Sequence, residues 1–182
     1  MDYIDPQIET ERLYLRKLER ADAETIFEIF SDPEVTRYWS FPAMKDKNDA
    51  ISFIDETHKG FDNNSLLEWG IVNRKSGTLI GTCAYASWDP AHRRAEIGFA
   101  LHRDEWGKGF MKELLRSFLP FAFDKLDLHR IEADVDPRNL PSIHLLEHFG
   151  FRREGYLRER YLLNGEEQDA LLYALLRKDF TN

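Results

Sequence analysis

The feature that most constrains the fold is a change of pattern in the middle of the chain. An apolar, strand-like segment over 95–102 is followed by the loop 106–109, Trp-Gly-Lys-Gly, and then by a helical pattern over 110–125. A second strand-like segment covers 130–136. Because strand, helix and strand in succession are typical of a crossover between neighbouring strands, the sequence predicts one parallel strand pair here.

The segments on either side of the crossover predict antiparallel strands and short helices. Tight turns are indicated at 75–77 and at Asn164-Gly165, the strongest short hairpin signal. Strand patterns cover 8–18, 66–73, 78–88, 151–163 and 168–176, and helical patterns cover about 23–32, 46–58 and 141–149. The sequence therefore predicts an α/β (α+β) fold with a largely antiparallel sheet. Its length of 182 residues favours one domain over 1–182, with an ordered core of about 8–178.

Charge and composition narrow the choice of partners. The net charge is −8, from 25 basic and 33 acidic residues, which disfavours binding to nucleic acid or to an anionic membrane and suits a cationic substrate. No apolar run is long enough for a transmembrane helix, and the acidic start lacks the apolar segment of a signal peptide. The single cysteine, Cys83, fits a reducing cytoplasm, and its apolar surroundings predict a buried, unreactive thiol.

The loop Gly107-Lys108-Gly109 has the composition of an anion site. Glycines let the backbone approach an anion closely, and the first turn of a helix offers unpaired N–H groups at the positive end of its dipole. An ordinary turn is the alternative interpretation. The loop lacks the Gly-Lys-Ser/Thr ending of a Walker loop and the third glycine of a dinucleotide fingerprint.

A second pattern, over 144–148, has the His-x-x-Glu-His spacing of inverted zinc peptidases. On a helix, His144 and His148 would share one face. The apolar residues Ile143, Leu146 and Phe149 predict that this face is solvated, and the chain beyond it has the pattern of a hairpin. We therefore expect no metal site.

Several segments together resemble the GNAT superfamily of N-acetyltransferases, in particular its ribosomal-protein-alanine (RimJ/RimL-like) branch. The resemblance covers nearly the whole chain in the right order. It is carried by Ile8 to Arg16, Asp22-Ala23, Ser31 to Val35, Ala95 to Leu101, Trp106 to Phe110, Asn139-x-x-Ser142, Gly150-Phe151, Glu154-Gly155 and Asn164 to Leu176.

The resemblance implies a seven-stranded, mixed and mostly antiparallel sheet with flanking helices, whose central parallel strands splay apart. It implies that acetyl-CoA is bound in that split, with its diphosphate on the loop and its pantetheine arm near Leu101 and Asn139. The implied cofactor-binding residues are Phe99, Leu101, Trp106, Gly107, Lys108, Gly109, Phe110, Met111, Asn139 and Ser142.

The resemblance also implies the catalytic residues. Glu96 is the expected base for the amine, directly or through water, and its alternative is a structural carboxylate. The backbone N–H of Phe99 or Leu101 is the expected donor to the acetyl carbonyl, if the strand is bulged there as in the family. The tyrosine acid of many relatives is replaced by Leu146, so Ser142 is the candidate for the departing sulfur, and its alternative is a helix-start serine that satisfies a backbone N–H.

The acceptor is left open by the sequence. A primary amine is implied, either a peptide N-terminus or a small molecule, and the segment from Tyr38 to Phe41 is expected to wall its site. The alternative function is a non-catalytic GNAT-like domain that binds acetyl-CoA or a protein. The last hairpin offers a surface on which a homodimer could form.

Overall fold

A mixed sheet organises the chain around the predicted parallel pair. The structure, a computed structural model, describes residues 8–63, 65–163 and 165–181. The strands are β1 (Leu13–Arg16), β2 (Leu66–Asn73), β3 (Leu79–Asp89), β4 (Arg94–Leu101), β5 (Arg130–Val135), β6 (Arg152–Leu163) and β7 (Glu166–Leu176). The helices are α1 (Ala23–Ser31), α2 (Pro33–Thr36), α3 (Lys47–Asn63), α4 (Phe110–Asp124) and α5 (Leu140–His148).

The seven strands lie in the order β1-β2-β3-β4-β5-β7-β6. Every neighbouring pair is antiparallel except β4 and β5. These two strands pair over three residues only, from Arg94 opposite Arg130 to Glu96 opposite Glu132. Both strands continue past that point, to Leu101 and Val135, so they separate. The predicted mixed sheet with a splayed parallel pair is confirmed.

Ion pairs fasten the closed end of this split. The Glu132 carboxylate accepts hydrogen bonds from Arg94 at 3.1 Å and from Arg130 at 2.7 Å. Arg130 also donates to Glu154 on β6, at 2.6 Å. Strands β4, β5 and β6 are therefore linked where the parallel pairing is intact, and the gap opens only beyond Glu96.

Two apolar layers cover the sheet. On one face, α4 places Phe118 in a stack with Tyr85 of β3, with ring centroids 4.4 Å apart, and edge-on to Trp69 of β2 at 5.7 Å. The residues of α4 that face the sheet recur at helical spacing, which is why this segment folds as a helix there. On the other face, the buried residues of α1 and α3 pack against Val72, Leu79 and the far end of β4.

The N-terminal segment differs from its predicted form. The expected strand over 8–18 is only Leu13–Arg16, because the residues before it fold back on it. The N–H of Leu15 donates to the Ile8 carbonyl, and the N–H of Thr10 donates to the Leu13 carbonyl. This turn brings residues 10–12 toward α4.

Other predictions agree more closely with the structure. The last hairpin is confirmed by the antiparallel pairing of β6 and β7, although Asn164 of its predicted turn lies outside the described residues. The helix predicted over 46–58 extends to Asn63. Cys83 is buried as predicted. Within the described ranges, none of the helices combines the length and apolar character needed to span a bilayer.

A buried carboxyl group on β2 makes the stability of the fold depend on pH. Glu68 is only 6% exposed, and burial raises its pKa to about 7. Below the ordinary value of 4.5 this carboxyl is protonated in both the folded and the unfolded chain, so it costs nothing there. As the pH rises to about 7 the unfolded chain ionises first, so the contribution of Glu68 to the free energy of unfolding is lost.

We therefore expect Glu68→Gln to raise the free energy of unfolding at about pH 8, by up to a value on the order of 3 kcal/mol. At about pH 4 the two proteins should be nearly equal in stability. Urea unfolding curves at a series of pH values measure the difference. A difference that does not change with pH would contradict a raised pKa for Glu68.

Candidate active site

The open edge of β4 supplies backbone groups to the gap. The N–H of His102 donates to Ile80 on β3, and the direction of the backbone groups alternates along a strand. The N–H groups of Phe99 and Leu101 therefore point away from β3, into the gap. The expected bulge is not at these residues, because β3 and β4 keep a regular register from Gly81–Leu101 to Ala86–Glu96.

The irregularity between these two strands lies instead at Ser87 in β3, which has a φ of 51°. One extra residue of β3 is accommodated there, beside the segment Arg94–Glu96 where β4 and β5 are paired. The two N–H groups of β4 reach the gap without a bulge, because ordinary strand alternation already directs them there.

The glycine loop ends in the first turn of α4. Gly107 and Gly109 have φ values of 72° and 78°, in the left-handed region that glycine tolerates best. A Cβ atom added at Gly107 would meet no atom within 4 Å, so the space in front of the loop is open. Gly109 is the N-cap of α4, and the N–H groups of the first turn have no acceptor within the helix. The Trp106 indole fastens the loop to β4 through a 2.9 Å hydrogen bond to the Leu101 carbonyl.

A large cleft of about 770 Å³ lies in front of this loop. It brings together Phe99, Leu101, Trp106, Gly107, Gly109, Phe110, Met111, Asn139 and Ser142 from the predicted cofactor residues, with Lys112 beside them. The Lys108 side chain lies outside this lining, and its ammonium group binds Glu105 at 2.9 Å.

A smaller cavity of about 140 Å³ adjoins the cleft through the gap. Both predicted catalytic residues, Glu96 and Ser142, line it. The two cavities share Tyr38, Trp39, Phe99, Asn139 and Ser142. The arrangement is thus a passage through the sheet, with the glycine loop at one end and a group of carboxylates at the other.

Glu96 stands at the last paired position of β4, where the gap begins. Burial raises the pKa of its carboxyl, and the negative charges of Asp134 and Glu132 raise it further, while Arg160 partly opposes them. The neighbouring Gly98 has no atom within 4 Å of the position its Cβ would occupy, so space is open beside the carboxylate. A partly buried carboxylate with a raised pKa is suited to accepting a proton.

Sequence reasoning missed a second carboxylate, Asp134 of β5. Its Oδ2 accepts hydrogen bonds from Arg160 and from the Tyr161 hydroxyl, both at 2.9 Å. Burial and the bond to Asp134 raise the pKa of Tyr161 to about 12. The signal for Asp134 was present, because Glu132, Asp134 and Asp136 alternate with apolar residues and so mark one polar face of β5.

Tyr161 carried no comparable signal, because a bulge in β6 brings it to the cavity. Register shifts between Leu157 and Tyr161, and Glu159 has a φ of 52°. Asp169 of β7 holds the bulge by accepting hydrogen bonds from the Glu159 N–H at 2.8 Å and the Tyr156 hydroxyl at 2.5 Å. The position of Tyr161 therefore depends on a contact between two strands.

Asn139 begins α5. Its Oδ1 accepts a hydrogen bond from the Ser142 N–H at 3.3 Å, so the helix cap is Asn139. The alternative interpretation of Ser142 as the capping side chain is wrong. Leu146, at the position where the resemblance implies a tyrosine, is buried and lines the smaller cavity.

The segment after α2 closes the other side of the passage. Tyr38 and Trp39 line both cavities, as expected for this segment, whereas Phe41 packs beside Phe30 and Trp39 in the apolar layer. Arg138 lies 5.9 Å from the centre of the Tyr38 ring. The same guanidinium binds Asp136 at 2.5 Å, which links this segment to the end of β5.

The histidines of the zinc-like pattern lie on the exposed face of α5 as predicted. Glu147 between them accepts a hydrogen bond from the Tyr173 hydroxyl at 2.9 Å. Among the described residues, no group of three or more histidine, cysteine, aspartate or glutamate side chains is arranged to hold a metal ion.

Comparison with known proteins identifies the class of this fold and site. The family model of the acetyltransferase (GNAT) domain matches residues 12–152. The chain therefore belongs to the GNAT family of acetyltransferases, and it is an N-acetyltransferase by homology with acyltransferases of that family.

Individual relatives match over almost their full length. The protein named uncharacterized N-acetyltransferase p20 of Bacillus licheniformis is 37% identical over 94% of this chain and 96% of its own length. A GNAT-family acetyltransferase from Bacillus anthracis has a TM-score of 0.82 at 29% identity, covering 94% of this chain and 98% of its own. The spermidine N-acetyltransferase of Vibrio cholerae, solved in complex with CoA and spermine, has a TM-score of 0.81 at 28% identity, covering 93% and 98%.

Proposed function

We propose that this protein transfers an acetyl group from acetyl-CoA directly to a primary amine, either a peptide N-terminus or a small-molecule amine. The observation that carries the proposal is the passage through the sheet. It joins an anion-binding loop to a partly buried carboxylate, and donors of β4 lie between them. A transfer from acetyl-CoA to an amine can use these three elements, for the diphosphate, the thioester carbonyl and the proton of the amine.

The chain's own groups fit acetyl-CoA. The diphosphate matches the glycine loop and the first turn of α4, where unpaired N–H groups meet open space. The extended pantetheine arm matches the open edge of β4 at Phe99 and Leu101, with the side-chain amide of Asn139 opposite. Bound there, acetyl-CoA would supply an activated thioester. The Vibrio cholerae relative, solved in complex with CoA and spermine, supports binding of a CoA thioester by this fold.

The residues around the passage perform the remaining steps. An amine is mostly protonated near neutral pH, so Glu96 takes its proton, directly or through a water molecule. The Phe99 N–H donates to the acetyl carbonyl oxygen as negative charge develops on it. The Ser142 hydroxyl donates to the departing sulfur, since the tyrosine position is occupied by Leu146.

The acceptor we infer is cationic before it reacts. Four carboxylates line the smaller cavity, those of Glu96, Asp134, Asp136 and Asp169. Two of them form ion pairs with an arginine, Asp134 with Arg160 and Asp136 with Arg138. Relatives of similar sequence identity support both kinds of acceptor, because one is a spermidine N(1)-acetyltransferase and others are named for ribosomal proteins.

Cytoplasmic location and a homodimer through the last hairpin stay predictions.

The proposed function is tested by turnover with a panel of amines. Peptides with free N-termini and small polyamines including spermidine are incubated with acetyl-CoA, and released CoA thiol is measured together with the acetylated product by mass spectrometry. We expect CoA release that depends on the amine. Binding of acetyl-CoA without turnover of any amine would favour the non-catalytic alternative, and failure of the folded protein to bind acetyl-CoA would contradict the proposal.

A further inference from the structure

Arg12, from the turn before β1, reaches the glycine loop across 96 residues of sequence. Its Nη1 donates to the Lys108 carbonyl at 3.0 Å. Its guanidinium carbon lies 4.4 Å from the centre of the Phe110 ring. Its Nε donates to the Glu113 carboxylate at 2.5 Å. One side chain thus contacts the loop, the first residue of α4 and the first turn of that helix.

The carboxylate of Glu113 fixes the N-terminal turn from the other side. Besides the Arg12 guanidinium, it accepts the Arg12 backbone N–H at 2.9 Å and the Thr10 hydroxyl at 2.5 Å. The Glu113 N–H in turn donates to the Gly109 carbonyl, at the start of α4. The turn at 10–12 and the start of α4 are therefore held together by several bonds that converge on one glutamate.

The bond to the Lys108 carbonyl has a geometric consequence for the loop. In a trans peptide the carbonyl of one residue and the N–H of the next lie in one plane and point in opposite directions. When Arg12 holds the Lys108 carbonyl on its side, the Gly109 N–H must point to the other side. Gly109 lines the large cleft, so fixing its peptide plane fixes the direction of an N–H group at the wall of the cleft.

Glycine makes such a restraint necessary. Gly107 and Gly109 both have positive φ values, and a glycine explores more backbone conformations than other residues. A free loop of this composition would lose entropy each time it closed around an anion. A restraint that fixes the peptide plane in advance removes part of that cost.

We propose that Arg12 is a positioning residue that orients the diphosphate loop of the acetyl-CoA site by holding the Lys108 carbonyl. This inference rests on the proposed binding of acetyl-CoA. It differs from a direct attraction between the Arg12 charge and the diphosphate, because a lysine at position 12 would keep that charge. Lysine lacks the planar fork that contacts the carbonyl, the aromatic ring and the carboxylate together.

The test compares Arg12→Ala and Arg12→Lys with the wild type by calorimetric titration with acetyl-CoA. We expect both variants to raise the Kd by about tenfold, the effect of losing one or two hydrogen bonds that order the loop. The matched control is Arg16→Ala, which removes an arginine of the same segment that pairs with Asp22 at 2.7 Å. It should lower the thermal midpoint without a comparable rise in Kd.

A second readout separates loop positioning from general loosening of the fold. S-acetylpantetheine carries the thioester but no diphosphate. Turnover of this shortened donor, with an amine that the wild type uses, should be nearly the same in Arg12→Ala and the wild type, while the KM for acetyl-CoA rises.

Three results would overturn the inference. They are an unchanged Kd in Arg12→Ala, full affinity in Arg12→Lys, and an equal loss with the shortened donor. Failure of the wild type to bind acetyl-CoA would contradict the proposed function instead, so the two failures are distinguishable.

Discussion

The Glu96→Gln variant should transfer acetyl groups about 100- to 10,000-fold more slowly than the wild type, the range observed when a general base is removed. The amide keeps the size of the side chain but cannot accept a proton from the amine. Binding of acetyl-CoA should be unchanged, because Glu96 lines the smaller cavity and not the cleft of the glycine loop. Initial rates and calorimetric titrations of the same preparation measure the two quantities.

The pH dependence gives a second readout of Glu96. Burial raises the pKa of this carboxyl, and only its ionised form can accept a proton, so kcat/KM of the wild type should rise with pH through that raised pKa. In Glu96→Gln, kcat/KM should lack this rise and should change with pH only through the ionisation of the amine itself.

Two further variants test whether the loss of rate belongs to Glu96 itself or to the residues around it. Glu132→Gln is the matched control, since Glu132 lies directly opposite Glu96 on β5 but does not line the cavity. It should lower the rate far less. Ser142→Ala should lower kcat by less than about tenfold, because a thiolate leaves readily without an acid. A Glu96→Gln variant within about threefold of the wild type would show that another group removes the proton.

A second large effect is expected at the glycine loop. Replacing Gly107 and Gly109 together with glutamate should weaken acetyl-CoA binding roughly 100- to 1,000-fold. Each new side chain must adopt a left-handed backbone conformation, and each adds a negative charge where the diphosphate is proposed to bind. Calorimetric titration of the folded variant measures the loss.

The chain offers a close control for the backbone part of this effect. Gly77, in the turn between β2 and β3, has a φ of 71° and no atom within 4 Å of its Cβ position, like Gly107 with a φ of 72°. Compared with Gly107→Glu alone, Gly77→Glu therefore brings a similar strain and the same charge at a residue that does not line the cleft. It should bind acetyl-CoA like the wild type. Equal losses in both variants would show that the charge acts through the whole molecule and not at the loop.

Local patterns predicted the elements of the fold because each has a clear signal. The apolar residues of α4 recur at helical spacing, and the alternation of β5 marks its two faces. The shortened β1 escaped prediction, since nothing in the polar run Thr10-Glu11-Arg12 shows that the chain turns back on the strand there. The strand begins only at Leu13 because Glu113, more than a hundred residues later, accepts the N–H of Arg12 and holds the preceding turn.

The candidate site was predicted only where its residues belong to a local motif. Glu96, the glycine loop and Asn139 lie in continuous segments that resemble the family. Tyr161 reaches the cavity because β6 bulges against Asp169, and such a bulge depends on the pairing of strands and not on the sequence of β6 alone. The contact of Arg12 with the loop is likewise invisible in the sequence, since Arg12 and Lys108 are 96 residues apart along the chain.

The gap between β4 and β5 is also an interior strand edge. On the surface of a protein, an edge with unpaired N–H and C=O groups is a template on which further chains can add and aggregate. Here Tyr38 and Trp39 line the opening on one face of the sheet and α5 covers the other. A peptide strand would carry side chains toward both covered faces, whereas the proposed pantetheine arm is a slender chain of amides without side chains. If acetyl-CoA binds as proposed, the protein leaves an unpaired strand edge open to this ligand while its two covers shield the same edge from the strands of other proteins.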